Sequence, residues 1–183
     1  MKKYLSVVSL VLLVCFLPGC QKQAMEQGPA GISAEQIKSN VRTEIDEAWN
    51  NKNLEVLDKI YAPDFVYHIP PYPDLVGLDA YKAYIEGNHA AYPDLKLTIR
   101  DIIVEGNAGA MTWTYEGTQT GDSPTLGIPA TGKHVVFSGC AFFRVNDEGK
   151  TTETWNYVDW VGLMKQLGFT ITPPEIPEQP EKK

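Results

Sequence analysis

Residues 134–159, HVVFSGCAFFRVNDEGKTTETWNYVD, carry the strongest structural signal in the sequence. The first part, His134 to Val145, is rich in β-branched and aromatic residues and predicts a long strand. Asn146-Asp147-Glu148-Gly149 predicts a hairpin turn, because its glycine can adopt a positive φ. The part from Lys150 to Asp159 returns as a second strand, so the sequence predicts a long antiparallel hairpin.

The segment before this hairpin predicts further strands. Apolar residues alternate with polar ones over residues 95–99, as in a half-buried strand, and residues 105–107 predict the turn that follows it. Residues 110–120 are rich in Thr, Trp and Tyr and predict another strand. Residues 121–132 contain proline and glycine and are interpreted as a loop.

Helical signals lie on either side of these strands. Ser33-Ala34-Glu35-Gln36 matches a capping box and predicts a first helix over residues 34–51. Asn53 predicts the cap of a second, shorter helix that Pro63 ends. The remaining predicted elements are a strand over 65–69, a third helix over 79–91 and a short helix from Trp160.

This order of elements predicts the α+β fold class. Helices precede a long meander of strands, so we expect the N-terminal helices to pack into a curved, mainly antiparallel sheet. A sheet that wraps around helices in this way encloses a pocket. The prediction places the folded domain at residues 33–170 and a tail rich in Pro, Glu and Lys at residues 171–183.

Charge and histidine spacing argue against two kinds of partner. The formal net charge is -7, and removal of residues 1–19, which hold two lysines and no acid, makes it -9. An acidic domain without clustered Lys and Arg does not predict a nucleic-acid surface. The three histidines lack close ligand spacing and no carboxylate cluster joins them, so the sequence predicts no metal site.

The first twenty residues resemble a bacterial lipoprotein precursor. Met1-Lys2-Lys3 is basic, the run that ends at Leu17 is apolar but too short to span a membrane, and Leu17-Pro18-Gly19-Cys20 resembles a lipobox. The resemblance implies a signal peptide over residues 1–19 and acyl chains, such as palmitate, on Cys20. Residues 20–32 are then interpreted as a flexible linker between the lipid and the domain.

The same resemblance implies a location in the cell envelope. Gln21 stands where an aspartate would favour retention in the inner membrane, which implies the outer membrane, facing the periplasm, in a host that has one. The alternative is an ordinary secreted protein cut at another small residue. With Cys20 acylated, Cys140 is the one cysteine left in the mature sequence, and it is interpreted as a small core residue.

Several short motifs resemble the SnoaL-like polyketide cyclase family in their order and spacing. They include Tyr67-His68-Ile69-Pro70, residues 116–121 (EGTQTG), residues 129–133 (PATGK) and Glu153-Thr154-Trp155. The match extends from residue 34 to residue 169. It implies the cone-shaped α+β barrel of the nuclear transport factor two superfamily, a small-molecule substrate or ligand, and dimerisation through the sheet.

The resemblance assigns the acid or base of an intramolecular aldol ring closure to Asp159. Alternate side chains of a strand share one face, so Asp159 is predicted to line the cavity with Glu153, Trp155 and Tyr157. The alternative is that Asp159 caps the short helix that follows it. The family also places a polar residue of the first strand in the cavity, which makes His68 a candidate to orient substrate or share proton transfer.

Gln119 departs from the family pattern, since cyclases often carry a histidine at this point of the strand motif. Glutamine can hydrogen-bond a carbonyl group but cannot exchange protons near neutral pH. We therefore expect Gln119 to position substrate. The candidate walls of the pocket are four aromatic side chains, Trp113, Tyr115, Trp155 and Tyr157.

Two functions agree with these observations. The first is a cofactor-free enzyme that performs aldol cyclisation, isomerisation or dehydration on a small carbonyl compound, with Asp159 transferring the proton. The second is a non-catalytic lipoprotein that binds a small apolar ligand in its aromatic pocket. The residues alone leave both functions open.

Overall fold

Six strands form one curved, unclosed sheet in the computed structural model, which describes residues 31–172. The strands are β1 (Tyr61–His68), β2 (Leu75–Val76), β3 (Lys96–Glu105), β4 (Ala108–Thr118), β5 (His134–Val145) and β6 (Thr151–Val158). Their order across the sheet is β2-β1-β6-β5-β4-β3. β1 and β6 run parallel and all other neighbours antiparallel, so the predicted α+β class with a mainly antiparallel sheet is confirmed.

The hairpin of residues 134–159 lies in the middle of the sheet. β5 pairs with β6 on one side and with the whole length of β4 on the other. Gly149 adopts a φ of 77° in the turn between β5 and β6, which is the conformation expected of it. The remaining strands are therefore assembled on the element that the sequence predicts most strongly.

Helices cover one face of the sheet. The bounds are α1 (Ala34–Thr43), its π-helical continuation (Glu44–Asn50), a 3-10 turn (Leu54–Val56), α2 (Leu57–Ile60), α3 (Leu78–Ala91) and α4 (Trp160–Gln166). Ser33 Oγ accepts a hydrogen bond from the Gln36 amide at 3.2 Å, which confirms the predicted cap. Within residues 31–172, no helix is both long and apolar enough to cross a membrane.

The core lies between the helices and the inner face of the sheet. Phe65 of β1, Ile85 of α3 and Val135 of β5 are completely buried there. Each full burial of such a side chain contributes about 1.5–3 kcal/mol. A second cluster, formed by Ile37 and Val41 of α1 with two residues of β5, closes one end of the molecule.

The second helix differs from its prediction. The side chain of Asn53 makes no capping hydrogen bond and instead donates to Glu47 Oε2 at 3.3 Å. The helix ends at Ile60, so Pro63 lies inside β1. β1 tolerates this proline because its register with β6 shifts between Tyr61 and Val66, and an irregular stretch of strand does not require every amide donor.

The outer face of the sheet is exposed in the described part of the chain. Phe142 of β5 and Tyr157 of β6 retain 37% and 54% of their surface. Cys140 also lies on this face and is exposed, so the prediction of a core cysteine is wrong. Alternation along β5 explains the error, because Ala141 and Phe143 take the inward positions.

Some predictions concern residues that the structure does not describe. Cys20, the signal peptide of residues 1–19, most of the linker of residues 20–32 and most of the tail of residues 171–183 lie outside residues 31–172.

Candidate functional site

A cavity lies between the helices and the inner face of the sheet. Its volume is about 70 Å³, several times the roughly 10–15 Å³ that one water molecule needs. Its lining includes residues of the strands β1, β3, β4, β5 and β6 and of the helices α1, α3 and α4. Six of the lining side chains are tyrosines: Tyr61, Tyr67, Tyr81, Tyr84, Tyr92 and Tyr115.

Glu44 is a buried carboxyl group in the wall of this cavity, with 3% of its surface exposed. Its Oε1 accepts hydrogen bonds from the Tyr81 hydroxyl at 2.6 Å and from Trp49 Nε1 at 3.3 Å. Glu44 and Trp49 are five residues apart, and the π-helical segment brings residues at that spacing onto one side. The local helix geometry therefore positions the carboxyl group and one of its donors together.

Burial raises the pKa of the Glu44 carboxyl group, because a low-dielectric surrounding disfavours its charge. Hydrogen bonds from Tyr61, Tyr81 and Trp49 stabilise the charged form and offset this effect only in part. The result is a carboxyl group whose pKa lies above its usual range. A raised pKa makes the carboxylate a stronger base than an exposed one.

Asn156 provides a second polar point on the inner face of β6. Its Oδ1 accepts a hydrogen bond from Trp113 Nε1 at 3.0 Å. Both Asn156 and Trp113 are buried and line the cavity. The bond fixes the indole ring in the cavity wall.

Tyr92 differs from the other tyrosines of the cavity. Its side chain is 3% exposed, and its hydroxyl group is buried without a hydrogen-bond partner among residues 31–172. Its ring packs edge-on against Tyr115, with centroids 5.3 Å apart. Burial raises the pKa of Tyr92 to about 12, so the hydroxyl keeps its proton and is available as a donor.

The cavity wall contains no lysine, arginine or histidine in the described part of the chain. Glu44 is the acidic side chain of the lining. Residues 31–172 also contain no group of three or more His, Cys, Asp or Glu side chains arranged to hold a metal ion.

Trp113 and Tyr115 lie where the sequence predicts them, in the cavity wall. They are alternate residues of β4, and both are buried. Tyr115 donates a long hydrogen bond of 3.5 Å to Asn88 Oδ1, which joins β4 to α3 across the cavity.

The prediction for β6 is wrong about which face lines the cavity. Glu153, Trp155 and Tyr157 do share a face, but the cavity-lining residues of this strand are Thr154, Asn156 and Val158. The register explains this outcome, because the buried Tyr67 of β1 is paired with Thr154, and paired residues lie on the same face. Trp155 and Tyr157 are therefore outer-face residues and not cavity walls.

Asp159 caps α4 and does not line the cavity. Its Oδ1 accepts a hydrogen bond from the Gly162 amide at 2.8 Å. A side chain at position 162 would collide with this carboxyl group, so glycine suits the close approach. The structure agrees with the alternative interpretation, in which Asp159 caps the helix. The first turn of α4 has unpaired backbone amides whose hydrogen bonds an aspartate can accept.

His68 also lies on the outer face, away from the cavity lining. Its Nδ1 is 2.9 Å from Asp74 Oδ1 and its Nε2 is 3.0 Å from Glu153 Oε1. The imidazole stacks on Trp155 with centroids 5.0 Å apart. Desolvation lowers the pKa of His68, but bonds to Glu153 and Asp74 outweigh it and the net shift is upward. His68 is therefore held between Asp74 and Glu153 on the outer face, and the predicted partnership with Asp159 in the cavity is not formed.

Gln119 anchors a loop and does not reach the cavity lining. Its side chain is completely buried, with Oε1 accepting from Thr131 Oγ1 at 2.7 Å and Nε2 donating to the Pro129 carbonyl at 3.3 Å. These two bonds hold the far end of the loop of residues 121–132. The predicted substrate contact is therefore wrong in this geometry.

Glu44, Tyr92 and Asn156 are polar site residues that the sequence analysis missed. Glu44 had a usable signal, because it falls on the apolar side of the first helix, three residues after Val41 and seven after Ile37. An acid at such a position is unusual enough to suggest a role. Tyr92 carried no comparable signal, since its isolation depends on how α3 and β4 meet.

The sheet that wraps around helices and the enclosed aromatic cavity define a class of cone-shaped domains that hold small molecules. A family model for SnoaL-like polyketide cyclases matches residues 39–167, and the chain belongs to this family. Among curated proteins, no relative matches the chain.

Solved structures agree with this family. TsrD from Streptomyces laurentii is 29% identical with a TM-score of 0.62, covering 73% of this chain and 93% of its own. IdmH from Streptomyces antibioticus, described as a candidate polyketide cyclase, is 27% identical with a TM-score of 0.62, covering 73% and 99%. A SnoaL-like protein from Jannaschia sp. CCS1 has a TM-score of 0.67, covering 77% and 95%, and at 22% identity shows the fold alone.

Proposed function

We propose that this protein is a lipid-anchored pocket protein of the cell envelope that performs cofactor-free acid/base chemistry on a small carbonyl compound. The observation that carries the proposal is the buried carboxyl group of Glu44 in an aromatic cavity, with its pKa raised by burial. In this proposal Glu44 takes the role that the sequence first assigned to Asp159.

The proposed step is a proton transfer next to a carbonyl group. The Glu44 carboxylate accepts a proton from the carbon beside the carbonyl, and the electron pair of that C–H bond forms the double bond of an enolate. Glu44 is then a carboxylic acid, and return of its proton to a different carbon of the conjugated enolate gives net isomerisation. In the aldol branch the enolate carbon attacks a second carbonyl, and Glu44 returns its proton to the alkoxide oxygen that forms. A raised pKa makes the carboxylate a stronger base for the first step.

A purely structural role does not account for the carboxyl group. Tyr81 and Trp49 both donate to Glu44, and the amide oxygen of a glutamine would accept the same two bonds. A buried carboxylate carries a desolvation cost that glutamine avoids. The feature that only glutamate supplies is a proton that can leave and return.

The test is exchange of α-protons in enolisable ketones dissolved in D₂O, followed by NMR. Wild-type protein is expected to accelerate the exchange, increasingly so as rising pH deprotonates Glu44 above its usual range of about 4.3. Glu44→Gln is expected to lower the rate of this exchange by about 10²–10⁴-fold. Asp159→Asn and the exposed Glu55→Gln are matched controls and should retain the wild-type rate.

The competing function is a non-catalytic binding protein. The observation that favours it is that two protein groups, Tyr81 and Trp49, already donate hydrogen bonds to Glu44 Oε1. Ketone binding without exchange above background would support this alternative. Exchange that is equal in wild type and Glu44→Gln would refute the role of Glu44.

The proposed membrane anchor is supported by the sequence motif Leu17-Pro18-Gly19-Cys20. A fatty-acid analogue supplied to cells is expected to label the wild type, and labelling should disappear in Cys20→Ala. Cys140→Ala is the matched control and should be labelled fully. Persistent labelling of Cys20→Ala would contradict attachment at that residue, and fractionation of the envelope would test location in the outer membrane.

Self-association through the exposed outer face of the sheet is part of the same proposal. Phe142 and Tyr157 give this face apolar surface that a second copy can cover. Size exclusion with light scattering on the delipidated protein is expected to show a dimer that Tyr157→Glu weakens. A monomer at all concentrations would contradict it.

A further inference from the structure

The hydroxyl group of Tyr92 is the unsatisfied polar point of the cavity. The Tyr92 side chain belongs to the cavity lining, and its hydroxyl group is buried with no hydrogen-bond partner within residues 31–172. The packing of its ring does not explain the hydroxyl, because phenylalanine would make the same edge-on contact with Tyr115. Buried polar groups in folded proteins are nearly always hydrogen-bonded, so an exception needs an explanation.

The neighbouring polar groups do not form a hydrogen bond with the Tyr92 hydroxyl. The nearby hydroxyl of Tyr115 donates to Asn88, and the Asn88 amide nitrogen donates to the carbonyl of Tyr84. These groups therefore have partners of their own. Among the buried side-chain polar atoms of residues 31–172, the Tyr92 hydroxyl is the one without a hydrogen-bond partner.

The charge of the lining restricts what can fill the space. An anion would enter a cavity without a lysine, arginine or histidine in its described wall and would face the carboxyl group of Glu44. Burial of an unpaired anion is strongly unfavourable. A cation would find a single acidic side chain in the described lining, Glu44, whose Oε1 already accepts hydrogen bonds from Tyr81 and Trp49. The wall thus suits an uncharged molecule.

We propose that the cavity holds an uncharged, ring-containing compound whose carbonyl oxygen accepts a hydrogen bond from the Tyr92 hydroxyl. This inference rests on the proposed function as a small-molecule pocket and specifies its ligand class. The aromatic walls bury the ring, and Tyr92 fixes the orientation of the oxygen. Tyr92 is then a recognition residue, separate from the proton transfer assigned to Glu44.

Four probes of similar shape test this proposal: acetophenone, benzoate, trimethylphenylammonium and isopropylbenzene. Titrations followed by NMR on the full-length protein and its variants would give the dissociation constants. Acetophenone is expected to bind more tightly than the other three. Tyr92→Phe should weaken the binding of acetophenone by about three- to tenfold, as expected for the loss of one hydrogen bond, and leave the binding of isopropylbenzene unchanged.

Two further readouts keep the test independent of folding and catalysis. Tyr92→Phe is expected to be at least as stable as wild type without ligand, because it removes an unsatisfied buried hydroxyl. Tyr157→Phe, which changes an exposed outer-face tyrosine, is the matched control and should bind acetophenone normally. A loss of stability in Tyr92→Phe would show a structural partner for the hydroxyl and overturn the proposal.

The outcomes separate this inference from the proposed function. If acetophenone and isopropylbenzene bind equally, or Tyr92→Phe has no effect on the binding of acetophenone, the proposed role of Tyr92 is refuted. The proposed small-molecule pocket is not affected by that result. Tighter binding of benzoate or trimethylphenylammonium overturns the uncharged ligand class. If no probe binds, both the pocket function and this inference are refuted.

Discussion

The carboxyl group of Glu44 lies where water cannot solvate its charge. Tyr81 and Trp49 replace part of that solvation, but burial still raises the pKa of the carboxyl group. The same environment that makes Glu44 a stronger base also makes its charged form costly for folding. Chemistry and stability are therefore opposed at this residue.

This opposition gives a pH dependence of stability with a definite sign. The folded state binds the Glu44 proton more tightly than the unfolded state, so the free energy of unfolding falls as pH rises from the unfolded pKa, about 4.3, through the raised folded pKa. Glu44→Gln has no ionisable group at this position, so its free energy of unfolding lacks this contribution to the pH dependence. Urea unfolding should show the variant gaining stability relative to wild type between acid and neutral pH.

The exposed Glu55→Gln is the control for that comparison and should follow the wild type across the pH range. A difference between Glu44→Gln and wild type that stays constant with pH would contradict the raised pKa.

At the scale of elements, β6 shows what alternation can and cannot reveal. The period of two correctly groups Glu153, Trp155 and Tyr157 on one face. It does not say which face is inside, and the cavity role that the family resemblance gave to Asp159 indicated the wrong one. The pairing of β6 with β1 decides the question, and that pairing joins segments far apart in the sequence.

α4 shows the opposite case, in which a local rule predicts the structure. An aspartate before a short helix is a favoured cap, and Asp159 accepts the Gly162 amide as that rule expects. The family resemblance gave this residue a cavity role that the geometry does not support. Local capping chemistry was the better guide here because all of its groups lie within four residues.

The cap predicts a stability effect without a functional one. Asp159→Ala should lower the free energy of unfolding by about 1 kcal/mol, since the first turn of α4 loses an acceptor. Asp159→Ser should recover most of this loss, because serine also caps. Denaturant unfolding of both variants measures the effect, and unchanged stability of Asp159→Ala would argue against the capping role.

Across the whole molecule, the sheet separates two surfaces with different chemistry. The inner surface faces the cavity with Glu44, Tyr92 and Asn156, while the outer surface carries His68 clamped between Asp74 and Glu153. The element order was predictable because helical and strand periods are local. The cavity composition was not, because it depends on which strand faces meet which helices.

The inner cavity, and not the outer face, is the proposed small-molecule site. A ¹⁵N NMR titration with acetophenone that follows the indole N–H signals distinguishes these two surfaces. We predict shifts at Trp49 and Trp113, which line the cavity, and none at Trp155, which stacks on His68 outside it. A shift of the Trp155 signal, with the Trp49 and Trp113 signals unmoved, would place the ligand on the outer face and contradict the proposed cavity site.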